Sequence, residues 1–229
     1  MVVKEILKGL LSRPDVDNFV DYYRLLVENN KKFNLTSVTD ERDVCVKHFY
    51  DSVCGAPLIP EGAKVIEIGS GGGFPSVPLK LVRDDIDFTL VEATGKKCGF
   101  LNGVKEFFRF ENFTVVNGRA EELGKQPEFR ECFDIAVARA VASLNSLLEY
   151  LLPFVKVGGK VICYKGSNYK EELKKSQNAI KALGGRFEKE VPYDLPDGAG
   201  SRCLVVIKKI SPTSVKYPRT EAKIRKTPL

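Results

Sequence analysis

The 229-residue chain contains a single histidine, His48, and no Cys-x-x-Cys pair, so the ligand spacing of a zinc site is missing. Its six cysteines (Cys45, Cys54, Cys98, Cys132, Cys163 and Cys203) are widely scattered. That distribution argues against a disulfide scaffold and fits reduced thiols in a cytosol. No apolar run approaches the roughly 20 residues that cross a bilayer. Met1 to Leu11 holds two lysines, a glutamate and no small-residue cleavage site, unlike a secretory signal. There is no internal repeat and no low-complexity segment. The expectation is a cytoplasmic, monomeric protein with no metal and no membrane contact.

What is present is globular: 43% hydrophobic and 29% charged residues, in a length suited to one domain with a small appendage. The net charge of +6 is unevenly placed. Seven cations (Lys208, Lys209, Lys216, Arg219, Lys223, Arg225 and Lys226) face one acid, Glu221, after residue 207. The totals of 36 and 30 therefore leave a body without net charge, followed by a basic tail.

Periodicity divides the body. Val16, Phe19, Val20, Tyr23, Leu26 and Val27 recur at helical spacing, Asn34-Leu35-Thr36 interrupts them, and Thr39 or Asp40 can cap a second helix carrying Val44, Cys45, His48, Phe49 and Val53. From Lys64, short apolar runs (Val65–Ile68, Phe88–Val91, Phe113–Val116, Asp134–Ala138, Lys160–Tyr164) alternate with helix-like segments (Val77–Val82, Lys96–Phe108, Ser143–Phe154, Tyr169–Leu183). This predicts βαβ units and a mostly parallel sheet. The last two runs, Arg186–Tyr193 and Ser201–Lys209, are too close for a helical crossover and predict an antiparallel hairpin. Beyond Ile210, Pro212, Pro218 and Pro228 predict an extended or irregular tail. The resulting division is a helical cap at 1–60, a catalytic domain at 61–210 and a tail at 211–229.

The strongest local signal is Val65-Ile66-Glu67-Ile68-Gly69-Ser70-Gly71-Gly72-Gly73-Phe74-Pro75, at the end of the first predicted strand. A dinucleotide fingerprint counted from Gly69 needs its third glycine where Phe74 stands, and the Gly-Lys-Ser/Thr of a phosphate loop is absent. Glu67 followed by Gly69, Gly71 and Gly73 instead resembles motif I of class I S-adenosylmethionine-dependent methyltransferases. That resemblance implies an α/β Rossmann-like fold with a seven-stranded sheet and a ligand without phosphates. Glu92, followed by Ala93, ends the second predicted strand, where a carboxylate can accept from a ribose diol. Gly118-Arg119-Ala120-Glu121 and Arg139-Ala140 end the third and fourth, and should line the same crevice.

The acceptor is narrowed by elimination. An Asp/Asn-Pro-Pro-aromatic motif for exocyclic amines does not follow the fourth strand, and no Pro-Cys is available for carbon methylation of cytosine. A lone pair such as guanine N7 needs neither, and positioning with electrostatics could carry its methylation. Asn34-Leu35-Thr36, His48-Phe49-Tyr50-Asp51-Ser52, the glycine loop, Lys96-Lys97 with Phe100-Leu101, Phe133-Asp134 through Arg139-Ala140-Val141-Ala142-Ser143-Leu144, Lys165-Gly166, Lys216-Tyr217-Pro218-Arg219 and Lys226-Thr227-Pro228-Leu229 together resemble the bacterial small-subunit rRNA guanine-N7 methyltransferases, the glucose-inhibited division protein B family. Two departures are visible: Glu67 and Glu92 stand where the family often has Asp, and no Gly follows Pro218-Arg219.

The resemblance implies a guanine of 16S rRNA near the decoding centre as acceptor, with 16S rRNA or the small ribosomal subunit as partner. It implies cofactor contacts from Gly69, Phe74, Ala120, Glu121 and Arg139, beside the loop residues Ser70, Gly71 and Gly73 and the strand-end pair Glu92 and Ala93. It puts Asn34, His48, Asp51, Lys165 and Arg202 on the acceptor side. Arg219, Lys223, Arg225 and Lys226 of the tail are candidate phosphate contacts. No residue is assigned to the transfer step itself. The alternatives are a methyltransferase for a small molecule or protein, and a non-catalytic RNA-binding or assembly protein that keeps a nucleoside pocket.

Overall fold

The computed structural model describes residues 2–11, 16–139 and 141–229; Ala140 of the Arg139-Ala140-Val141-Ala142 motif lies outside them. Two helices come first, α1 (Val2–Leu11) and α2 (Asp17–Asn30). α2 buries Phe19, Val20, Tyr22 and Leu26, one stripe at three- and four-residue steps. Tyr22, rather than the half-buried Tyr23, is the tyrosine that faces inward. Asp40 then caps α3 (Glu41–Val44) by accepting from the Asp43 amide at 3.0 Å. A π-helical turn, Cys45–Tyr50, leads into α4 (Asp51–Val53). That wider turn carries His48 between the buried Val46 and Phe49, a local irregularity of the kind that recurs at functional sites.

The alternating region follows as β1 (Lys64–Ile68), α5 (Ser76–Val82), β2 (Asp87–Glu92), α6 (Gly95–Phe108), β3 (Phe113–Asn117), α7 (Ala120–Leu123), β4 (Phe133–Arg139), α8 (Leu144–Leu151) and β5 (Val155–Gly166). The predicted last crossover helix is two short ones, α9 (Tyr169–Lys175) and α10 (Gln177–Ala182), parted at Ser176. The Ser176 hydroxyl donates to the Glu172 carbonyl at 2.6 Å, a back-bond that favours a break there. β6 (Gly185–Asp194) and β7 (Ser201–Lys209) form the antiparallel hairpin.

One sheet of order β3-β2-β1-β4-β5-β7-β6 results, in which β1 to β5 run parallel and β7 inserts antiparallel between β5 and β6. This is the class I methyltransferase architecture. Strand order reverses between β1 and β4, so the carboxyl ends there open a crevice. Both sheet faces are covered, because successive side chains alternate: Val65 joins a core shared with α1, α2, α5 and α6, and Ile66 joins one shared with α7, α8 and α10.

The tail corrects its expectation. It contains a helix, α11 (Glu221–Lys226), whose Ile224 is buried in the second core with Tyr217. Pro218 and Pro228 bracket this helix rather than preventing it, since neither lies inside it. No helix among the described residues is long and apolar enough to cross a membrane.

Candidate active site

The glycine loop is shaped by backbone conformation and by what presses on it. Gly69 has φ +73°, and a Cβ there would stand 2.9 Å from a methyl of Val141. Gly73 has φ +90°, and its Cβ would stand 2.6 Å from Val77 and 3.0 Å from the Tyr22 hydroxyl. Both positions therefore need glycine. Beneath the loop, Glu67 is fully buried; its Oε2 accepts from the Ser76 amide at 3.1 Å, and its Oε1 has no hydrogen-bond partner among the described residues. Burial, only partly opposed by Ser76, pushes its carboxyl up to about 8.

A first cavity of about 520 Å³ opens beside the loop, within the range of small-molecule sites. Gly69, Glu92, Ala93, Gly118, Arg119, Ala120 and Glu121 line one side, and Val141, Ala142, Ser143, Ser146 and Tyr150 another. Glu92 accepts from the Gly71 amide at 2.9 Å and the Thr94 amide at 2.8 Å, which ties the loop to the end of β2. Each carboxylate oxygen keeps further acceptor capacity, as a ribose diol requires. A nucleoside with a small polar extension fits these walls.

A second pocket of about 460 Å³ lies on the other side of β4's end. His48, Asp51, Arg139, Tyr164, Lys165, Glu172 and Arg202 line it. Arg139 donates to Asp51 Oδ2 at 3.0 Å and to the Lys47 carbonyl at 2.8 Å, and its guanidinium lies 5.0 Å from the Phe74 ring centre. The Tyr193 hydroxyl donates to Asp51 Oδ1 at 2.6 Å. Its own acidity is suppressed by burial and then by the Asp51 charge.

His48 stacks on Phe74 with centroids 4.4 Å apart. Its Nδ1 lies 2.9 Å from Arg139 Nη2, and its Nε2 lies 2.7 Å from Thr36 Oγ1. The Lys47 carbonyl also lies 3.1 Å from Nδ1, but it is served by Arg139 at 2.8 Å. A guanidinium has only donors, so beside Arg139 the Nδ1 accepts and Nε2 carries the proton toward Thr36. Burial, followed by the Arg139 charge, holds the ring down at about 3. His48 is neutral, with its lone pair already engaged.

The sequence-predicted residues thus divide. Gly69, Glu92, Ala93, Ala120 and Glu121 line the first cavity. Ser70, Gly71, Gly73 and Phe74 support the loop without lining it. Arg139, expected at the cofactor, lines the second pocket, because its side chain is drawn to Asp51 and the π-helical turn. His48, Asp51, Lys165 and Arg202 join it there, whereas Asn34 is exposed and outside it. In the tail, Arg219 is held by Glu149, Arg225 lines the first cavity, and Lys223 and Lys226 are exposed.

Several residues escaped the sequence reading. Tyr22 donates to the Gly72 carbonyl from 50 residues away. Tyr164 and Tyr193 read only as strand residues, although Tyr164 donates to the Ser52 carbonyl at 2.7 Å. Glu172 is bound to Lys165 at 2.6 Å and accepts from the Leu144 amide at 2.7 Å. Tyr22, Tyr164 and Tyr193 had no local signal, since each partner is distant in sequence.

Comparison with known proteins follows this geometry. The family described as "rRNA small subunit methyltransferase G" matches residues 15–193. A protein named ribosomal RNA small subunit methyltransferase G from Caldanaerobacter subterraneus is 48% identical over 216 residues, covering 93% of this chain and 90% of that one. Its namesake in Alkaliphilus oremlandii is 41% identical over 233 residues, covering 100% and 98%. Among solved structures, an S-adenosylmethionine-dependent methyltransferase from Aquifex aeolicus superposes with TM-score 0.57 at 14% identity, covering 76% of this chain and 96% of that one. M. jannaschii TYW2, solved in complex with S-adenosylmethionine, gives 0.55 at 14%, covering 70% and 75%.

Proposed function

Since the chain belongs to the rRNA small subunit methyltransferase G family, we propose that it transfers a methyl group from S-adenosylmethionine to N7 of a guanine in 16S rRNA. The observation that carries this reading is the partition between the two cavities. Ala142 lines the first, and its carbonyl accepts at 3.1 Å from Lys165, which lines the second. A methyl donor in one and a base in the other would meet across the turn after β4.

The bound sulfonium supplies an electrophilic methyl group, and the chain's residues supply position. Glu92 would hold the ribose diol, and Ala93, Ala120 and Glu121, which line the same cavity, would hold the adenine. Arg139, anchored on Asp51, fixes the wall of the acceptor pocket and packs against Phe74 behind the glycine loop. His48 takes no proton, because Arg139 occupies its Nδ1 and its neutral form is strongly favoured. This suits guanine N7, whose lone pair attacks without prior deprotonation. N7 in A-form RNA sits in a deep, narrow groove closed to side chains, so the base has to be presented from a loop or flipped.

Purified protein should methylate small-subunit particles or RNA, and 16S rRNA from a gene-deletion strain should lack one N7-methylguanine. Mapping by reduction and strand scission reads both, and an unchanged map in the deletion strain sinks the proposal. Lys223 and Lys226 would then serve as phosphate contacts, and binding would weaken as salt rises.

A further inference from the structure

We propose that the C-terminal segment, residues 217–229, forms the outer wall of the nucleoside pocket and takes part directly in binding S-adenosylmethionine. The inference rests on reading the first cavity as the cofactor site. Glu221, Arg225 and Pro228 line that cavity together with Glu92 and Ala120, although they lie far from both in sequence.

This placement is built rather than incidental. Glu149 on α8 is fully buried, and its two oxygens accept from Arg219 Nε at 2.8 Å and Nη2 at 2.6 Å, while the Arg219 amide adds a third bond at 2.8 Å. Such a bidentate pair sets geometry as well as energy. Arg130 grips the approach to it, donating to the carbonyls of Thr213 at 2.6 Å and Tyr217 at 2.9 Å. Ile224 then pins α11 to the core. Across the mouth, Arg119 reaches Glu221 at 3.3 Å, and Asn145 donates to the Leu229 carbonyl at 3.1 Å.

The chemistry of the segment agrees. Adenosine presents a flat neutral face, and a proline ring, the Tyr150 ring and a guanidinium plane all cover such a face well. Charge argues the same way. Arg219 is neutralised by Glu149, and Glu221 answers both Arg119 and Arg225, so the segment is less available to phosphates than its count of cations suggests.

The test uses S-adenosylhomocysteine as probe, without RNA. In the full chain, hydrogen–deuterium exchange at residues 220–228 should slow on binding, together with the loop at 69–73. A chain ending at Arg219 should bind the probe roughly tenfold more weakly by calorimetry, a loss of about 1.4 kcal/mol. Arg225→Ala should show a smaller loss with an unchanged melting temperature. Protection of 69–73 without protection of 220–228 overturns this inference and leaves the cofactor site standing. Protection of neither overturns the cofactor site itself. Unchanged probe affinity in Arg225→Ala and in a folded truncated chain, with weakened particle binding, assigns the segment to RNA and likewise overturns the inference.

Discussion

The first cavity is walled on its loop side by strand ends and turns, where Gly69, Ala93, Gly118 and Ala120 set the shape between the side chains of Glu92, Arg119 and Glu121. The second is walled by Arg139, Asp51, His48, Lys165 and Glu172, whose charges and polar atoms satisfy one another. The contrast shows two ways of holding a ligand beside one strand end. A backbone-built site is tolerant of side-chain change at most positions but intolerant at its glycines. A site built from buried charges is fragile at each member, because removing one leaves another unpaired in low dielectric.

Arg139→Ala puts the largest strain on that contrast. Asp51 is nearly inaccessible and Arg139 is its charge partner, so truncation should cost about 3–5 kcal/mol of folding stability. Urea denaturation measures it. A cost below about 1 kcal/mol would mean that the second pocket tolerates a buried carboxylate held by the Tyr193 hydroxyl without its charge partner, and that the contrast is wrong.

Glu67 is the buried acid on the other side, and pH reveals it. Its folded value, near 8, lies above that of the unfolded chain, so the unfolded state binds fewer protons between the two. Its contribution therefore falls as pH rises from the ordinary carboxylate range to about 8, then levels. The stability of Glu67→Gln minus that of the natural chain should grow over this window. A difference independent of pH between about 5 and 9 would place a charged Glu67 under the loop and make the two regions alike.

Glu92→Ala follows in size. Loss of a charge-assisted acceptor should weaken S-adenosylhomocysteine by roughly 1–3 kcal/mol in calorimetry, with less effect on folding than Arg139→Ala. Unchanged affinity means the ribose is held elsewhere and the first cavity owes its selectivity to backbone alone.

The same contrast explains what could be read from sequence. The glycine loop, Glu92 and the Arg119-Ala120-Glu121 turn were legible because each lies in a continuous stretch at a strand end, and parallel strands bring their ends together. The antiparallel hairpin was legible from the short connection between β6 and β7. The Arg139–Asp51–Tyr193 network draws on three segments, and nothing in the spacing of 51, 139 and 193 announces it. The charge count of the tail overstates its solvated cations for a related reason. Counting charge treats every cation as solvated, yet Lys209 lies buried 3.1 Å from Glu131 and Arg219 is clamped by Glu149. Two of the seven cations behind the net +6 are internal structure.

Tyr22 joins the two regions and carries the smallest expected effect. Its ring packs 5.4 Å from Phe49 and 5.7 Å from Phe74, on the side of the histidine stack, while its hydroxyl donates to the Gly72 carbonyl of the loop. Burial raises its phenol far above the usual range, so it remains a donor. Tyr22→Phe keeps the packing and removes the bond, at a cost of about 1 kcal/mol in denaturation. If the loop is held chiefly by its own strand and Glu92, S-adenosylhomocysteine affinity should change less than in Glu92→Ala. An equal or larger loss of affinity would show that helix α2, through one hydroxyl, sets the loop as strongly as the sheet does, and the division between a backbone-built and a side-chain-built site would have to be redrawn at Gly72.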